Sequence, residues 1–368
     1  MDKRYLAAMG TFVGTIVGAG ILALPYAVSK SGFLIGLLLL FIVGLASILI
    51  TMYTGELSFA SKKIHQLPIL VSKYTRREFR TGVLLLQILT IYGALIAYLI
   101  AIGISLSLLI GLPYSVSVLI MFVLSAPLIL KGYSSVENAE APLSIIKLIL
   151  IVAVSIPFIF MVSANNLSFI HPPKALFSFG IILFSLTAFT VVPEIKQELQ
   201  NNKKKFNSVI VMSVLISIGV YILFSAAFLG TFGSGISLIA TNSVASYGFS
   251  YLFYIITIFI VITPYLALSL VLVDALNYDF KIGRLKGFVL AGFIPLALSL
   301  TGLSFEYVLD VIGGLLLPIL SILVLIAVHN ERKRKGTTNY RVPGGNAGLV
   351  FTGAVMVVGL FYTLIYVI

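Results

Sequence analysis

Residues 10–26 read Gly10-Thr-Phe-Val-Gly14-Thr-Ile-Val-Gly18-Ala-Gly20-Ile-Leu-Ala-Leu-Pro25-Tyr26. They lie inside the first apolar stretch, 6–28, which is long enough to cross a bilayer. Four glycines and a proline weaken the helix near its midpoint, where an unbonded N–H or C=O finds no water. Irregular backbone at that depth survives only where protein buries it or where it lines a cavity. Two readings stand. A span broken at the midplane points to a solute-binding site in a secondary transporter. The spacing of Gly10, Gly14 and Gly18 also suits close helix packing through small residues.

The rest of the chain sets the class. Hydrophobic residues make up 60% of the 368 and charged residues 10%, the balance of an all-α polytopic membrane protein with little outside the bilayer. Cysteine is absent, which excludes disulfides and thiolate metal sites. His65, His171 and His329 fall in connecting segments without a metal-ligand spacing, so no metal and no cofactor is expected. Met1-Asp-Lys-Arg starts like a signal peptide, but the apolar run after it is too long and reads as a first span.

Eleven spans are predicted: 6–28, 33–60, 82–111, 115–130, 142–164, 175–194, 207–230, 249–276, 287–302, 306–328 and 347–367. With the N-terminus in the cytoplasm, 22 of the 24 Lys and Arg residues gather on the inner side, leaving Lys30 and Lys174 outside. The positive-inside rule then gives a multi-pass protein of the cell membrane with a cytoplasmic N-terminus and an extracellular C-terminus. The net charge of +12 thus reports topology and does not imply nucleic acid. The basic loops 62–80 and 331–341, which include Lys62, Lys63 and Lys335, are placed to touch anionic lipid, although topology alone accounts for them.

An inverted repeat is expected, with spans 1–5 in residues 1–164 and spans 6–10 in 165–330; residues 331–368 add a basic loop and span 11. Span 6 reads Phe184-Ser-Leu-Thr187-Ala-Phe189-Thr190-Val-Val-Pro193-Glu194. Gly18 to Pro25 covers eight residues ending in proline, as does Leu186 to Pro193. Span 6 has no glycine in this stretch, so its unwinding is less firmly written than that of span 1.

These residues carry a family resemblance. Gly14-Thr-Ile-Val-Gly-Ala-Gly-Ile-Leu-Ala-Leu-Pro-Tyr26 resembles the first span of the amino acid/auxin permeases and of the bacterial aromatic (tryptophan/tyrosine) permeases. Pro193-Glu-Ile195 is similar to the motif closing their sixth span, and Thr263-Pro-Tyr-Leu-Ala-Leu-Ser-Leu-Val-Leu-Val-Asp274 resembles the eighth span of the aromatic permeases. Tyr340-Arg-Val-Pro-Gly-Gly345 is similar to the wider amino acid–polyamine–organocation superfamily. The resemblance implies a leucine-transporter (LeuT) type fold of five-plus-five inverted repeats, and secondary transport of a neutral or aromatic amino acid.

In that fold, N–H groups around Gly18, Ala19 and Gly20 would hold the substrate carboxylate, helped by a helix N-terminus starting there. Carbonyls near Thr15, Ile16 and the stretch Phe184, Ser185, Thr187 and Ala188 would accept from its ammonium. Tyr92 and Tyr98 of span 3, Phe189 of span 6 and Tyr265 of span 8 are candidates for the side-chain pocket, although any aromatic is more often packing than ligand.

Lys147 is the charge of most interest. In several proton-coupled or sodium-independent relatives a lysine similarly placed in span 5 occupies the space of a sodium ion. If Lys147 matches it, its ammonium would meet span 1 carbonyls and the hydroxyl of Ser269, and would make a proton the coupling ion. The alternative is snorkelling to the headgroups, with sodium as the coupling ion. Glu56 can pair across helices, carry a proton or reach the interface; Asp274 can lock the inner side; Glu194 can join an inner gate or be solvated. Glu306 and Asp310 suit the N-terminus of span 10. Two rival functions are a passive channel or facilitator and an intramembrane enzyme. The second lacks a His or Asp partner for any serine at membrane depth, and no Walker A sequence occurs.

Overall fold

Lipid offers no hydrogen bonds, so a chain this apolar must satisfy its backbone internally. The structure, a computed structural model, describes residues 2–61, 65–131, 134–278, 281–334 and 340–367, and these contain helices and no strand. Lys62, Lys63 and Lys335 of the basic loops lie outside the described residues.

The first span consists of α1 (Lys3–Ile16) and α2 (Gly20–Ser31), followed by α3 (Phe33–Ala60). The loop expected at 62–80 holds a short helix, α4 (Leu67–Tyr74), whose Leu67, Leu70 and Val71 are buried. Next come α5 (Phe79–Ile110), α6 (Tyr114–Lys131), α7 (Ser134–Ile159) and the short α8 (Ala164–Ser168). The sixth span consists of α9 (Phe179–Leu186), a 3₁₀ turn at Phe189–Val191 and α10 (Val192–Glu198). Then follow α11 (Lys203–Phe232), α12 (Ser250–Tyr278), α13 (Arg284–Ser299), α14 (Phe305–Val311), a π-helical turn at Ile312–Leu316, α15 (Leu317–Lys333) and α16 (Gly345–Tyr366). Asn202 and Ser304 cap α11 and α14, their side chains accepting from the N–H groups of Lys205 and Tyr307.

Among the described residues nine helices are long and apolar enough to cross a membrane, or ten with α1 and α2 taken as one bent span. The ninth expected span corresponds to α13, which has 16 residues and so falls short of that length. At 1.5 Å per residue it reaches about 24 Å.

Helices α1, α2, α3 and α7 pack around α11, and α9 lies against α2 and α3, while α5 forms the spine of a second group with α12, α13 and α6. α9 also meets the π turn: a Cβ placed on Gly313 would lie 1.8 Å from the Gly180 carbonyl oxygen, so the two backbones touch directly. Leucine and isoleucine remain outward around the bundle, with Leu124 66% and Ile365 67% exposed, as a lipid-facing surface requires. The basic loops meet at one end. There Lys205 pairs with Asp2, Arg284 donates to the carbonyls of Ile129 and Leu130, and Arg334 donates to the Lys73 carbonyl.

Candidate functional site

Both glycine-weakened and proline-marked spans are interrupted. α1 ends at Ile16 and α2 begins at Gly20, with a bend of 51° between their axes. α9 ends at Leu186; Thr187 is extended (φ −86°, ψ 124°) and Ala188 leaves the helical region (φ −145°, ψ 14°). No glycine is needed there. The hydroxyls of Ser185 and Thr187 donate back to the carbonyls of Ile181 and Leu183, a pattern that bends helices, and Pro193 then opens α10.

The two interruptions touch. A Cβ on Gly20 would lie 2.1 Å from the Ser185 hydroxyl, so the start of α2 rests on the end of α9. Gly18, Ala19 and Gly20 are buried, as are Ser185, Ala188 and Phe189, while Thr15, Phe184 and Thr187 are half-buried. The first N–H groups of α2 and the last carbonyls of α1 and α9 therefore meet in one place, where the Gly18 N–H donates back to the Ile16 carbonyl at 3.0 Å. Gly20→Leu is expected to abolish amino acid binding and to lower stability, since the side chain must displace Ser185. Ligand-induced thermal stabilisation in detergent reads the first and the unliganded melting temperature the second. Unchanged affinity would take Gly20 out of the site.

Three side chains hold the carbonyls released by these breaks. Lys147, on α7 and 2% exposed, donates to the carbonyls of Gly14 and Val17, 3.3 Å each. It points inward and does not snorkel. A Cβ on Gly14 would lie 1.9 Å from the hydroxyl of Ser144, so α7 packs tightly on α1 one turn before Lys147. A cation at the C-terminus of α1 also complements the helix dipole. Ser47 on α3 donates to the Leu186 carbonyl. Tyr221 on α11 is fully buried, its hydroxyl 2.9 Å from the Ile16 carbonyl and 2.7 Å from the Ser185 carbonyl, and it donates to one at a time.

Tyr221 was not legible as a site residue from sequence, although a tyrosine this far inside an apolar span needs a buried partner for its hydroxyl. Tyr221→Phe removes the donor that the two carbonyls share. It is expected to cost about 1–3 kcal/mol in thermal unfolding and to slow uptake. A variant as stable and active as the parent would show that the hydroxyl is not needed.

The profile of the tryptophan/tyrosine permease family matches residues 1–366. The chain belongs to that family. It is therefore a multi-pass amino acid permease and not an enzyme. A similar solved structure is the crystal structure of MhsT in complex with L-phenylalanine, at 12% sequence identity and a TM-score of 0.71, with 100% of this chain and 99% of that chain covered. At that identity the likeness speaks for the fold, which is of the LeuT type. Comparison with curated proteins returns no match.

The permease places the other expected residues unevenly. Tyr92 does not face the break: its hydroxyl donates to the Leu290 carbonyl on α13, 3.2 Å away. Six residues along a helix turn the side chain through about 240°, and it is Tyr98 whose hydroxyl lies 3.4 Å from a Cβ placed on Gly18. Of the two tyrosines, Tyr98 is the one beside the interruption of span 1. Ser269 and Tyr265 are buried on α12. Asp274 reaches Arg284 at 3.7 Å, joining α12 to α13 in a partly exposed pair that contributes little by itself. Glu194 is exposed in the first turn of α10, where a carboxylate suits the helix dipole. Asp310 is buried against the opening turn of α9, its Oδ1 2.6 Å from a Cβ placed on Gly180.

Glu56 is the centre of an ionic network at the basic end of the permease. Fully buried, it accepts two hydrogen bonds of 2.8 Å from Arg332, one of 2.6 Å from Arg341 and one of 3.1 Å from the Val342 N–H. Arg341 also donates to Glu331, and Arg332 to the Gly345 carbonyl. Tyr340 packs on Phe59 and Phe206 and donates to Asn207. Burial, with the Glu56 carboxylate nearby, holds its hydroxyl well above the usual phenol range, so it stays a neutral donor. The segment before α16 is thereby fastened to α3, α11 and α15 at once.

Proposed function

We propose that the permease moves neutral or aromatic amino acids across the cytoplasmic membrane as a proton symporter, by alternating access, with its N-terminus in the cytoplasm and its C-terminus outside. The observation that carries the coupling ion is Lys147. Its ammonium already occupies the Gly14 and Val17 carbonyls, the groups at the break that a bound monovalent cation would use. A tethered cation at a few ångström repels a second one strongly in a medium of low dielectric. In this reading the Lys147 ammonium carries the coupled proton.

The substrate would lie across the two breaks. N–H groups at Gly18, Ala19 and Gly20 face its carboxylate, and the carbonyls of Thr15, Ile16 and the 184–188 stretch take its ammonium. Tyr98 and Phe189 would border its side chain, and Ser269 would supply a hydroxyl beside Lys147. The MhsT structure holds L-phenylalanine, which supports a hydrophobic cargo. The breaks would mark the first spans of two inverted repeats, 1–164 and 165–330, with 331–368 appended. The group of α1, α2, α3, α9, α10 and α11 would rock against the rest, and Glu56, Asp274 and Glu194 would act at its inner end.

Proteoliposomes loaded with a pH-sensitive dye test the reading. Adding phenylalanine or tyrosine outside should acidify the lumen, whereas a charged amino acid should not. Amino acid entry with no change in lumenal pH would overturn proton symport.

A further inference from the structure

The two basic loops are far apart in sequence yet line one cleft. Arg76, Lys333 and Arg334 border a space of about 540 Å³, with Asn330 beside them and Phe79 and Ile326 along its apolar side. Arg334 holds the loops together by donating to the Lys73 carbonyl at 3.0 Å. Among the described residues no carboxylate lines the cleft, and none of its three cations has an ion-pair partner. Their neighbour Arg332 is instead consumed by Glu56. The cleft is thus a concentration of uncompensated positive charge at the end of a membrane bundle.

Its shape separates charge from apolar surface. Ile326 precedes Lys333 by seven residues on α15, about 10 Å along the helix axis. Phe79 and Ile326 are 41% and 45% exposed, so the apolar wall is open to an occupant. Free phosphate would use the cationic rim and leave that wall bare. A molecule with a phosphate at one end and hydrocarbon at the other fills both. We propose that this cleft seats an anionic phospholipid, its phosphate among Arg76, Lys333 and Arg334 and its acyl chains against Phe79 and Ile326.

Native mass spectrometry of the full permease, exchanged into mixed phosphatidylglycerol and phosphatidylcholine of matched chains, tests this. One phosphatidylglycerol should remain bound at detergent concentrations that strip phosphatidylcholine. Each basic residue near a membrane surface is worth about fivefold in lipid affinity, so Arg76→Gln/Lys333→Gln/Arg334→Gln should weaken retention roughly a hundredfold. Lys333→Gln alone, at an exposed position, should give about fivefold without threatening the fold. Lys203→Gln/Lys204→Gln, outside the cleft, should change nothing. Soluble glycerol phosphate should fail to displace the lipid. Equal retention by Lys333→Gln and the triple variant, equal retention of phosphatidylcholine, or displacement by glycerol phosphate would overturn the proposal.

Discussion

Lys147→Ala is expected to abolish accumulation of amino acid driven by a pH gradient, while the protein remains folded. The ammonium fills the place where α1 stops, and its two bonds to carbonyls are charge-assisted, worth about 1.5–3 kcal/mol each. Without it, the Gly14 and Val17 carbonyls have no cation, and on the proposed reading the coupling group is gone. Lys147→Arg separates the two roles. Arginine keeps the charge and the donors but does not lose its proton in proteins. The arginine variant should therefore bind amino acid and stay folded, yet move it only to equilibrium. Uptake in proteoliposomes, with melting temperature as the control, reads both. Full proton-driven accumulation by either variant would remove Lys147 from coupling and leave it a structural clamp.

Glu56→Ala is expected to destabilise the permease by about 3–5 kcal/mol, the cost of leaving buried charge uncompensated. Glu56 is fully buried and the guanidinium of Arg332 is mostly so, while Arg341, at 38% exposure, can turn to water and soften the loss. Glu56→Gln keeps the shape and an acceptor for the Val342 N–H, and should cost less. Because the network joins α3 to the end of α15 and the segment before α16, the glutamine variant should also expose that segment to protease. Thermal unfolding together with limited proteolysis around residues 340–345 measures both effects. A parent-like melting curve for the alanine variant would mean that water already satisfies these charges.

The interruption of span 1 was legible because glycine and proline act locally. Gly18-Ala-Gly20 falls at the gap between α1 and α2. The interruption of span 6 was half legible: Pro193 marked its end, but the break itself rests on Ser185 and Thr187 bonding their own helix and on donors from elsewhere. Ser47 and Tyr221, which receive the freed carbonyls, stand 139 and 36 residues from their partners in span 6. No local signal announces such a pairing. Glu56 looked isolated because its partners Arg332 and Arg341 come 276 and 285 residues later.

Tyr92 shows a different obstacle. A helix that is apolar all round carries no stripe to tell which side faces the core, and α5 is such a helix. Its tyrosines cannot be assigned to a pocket or to a neighbouring helix from spacing alone. Lys147 was more readable, since a charge in an apolar span has few tolerable places. Only the fold could choose between the carbonyls of α1 and the headgroups.

The most direct measurement is uptake of labelled phenylalanine and tyrosine by proteoliposomes under an imposed pH gradient, set beside an imposed sodium gradient. Accumulation above the external concentration with the pH gradient alone, and none with sodium alone, is the result expected of a permease coupled through Lys147. Accumulation that requires sodium would contradict it.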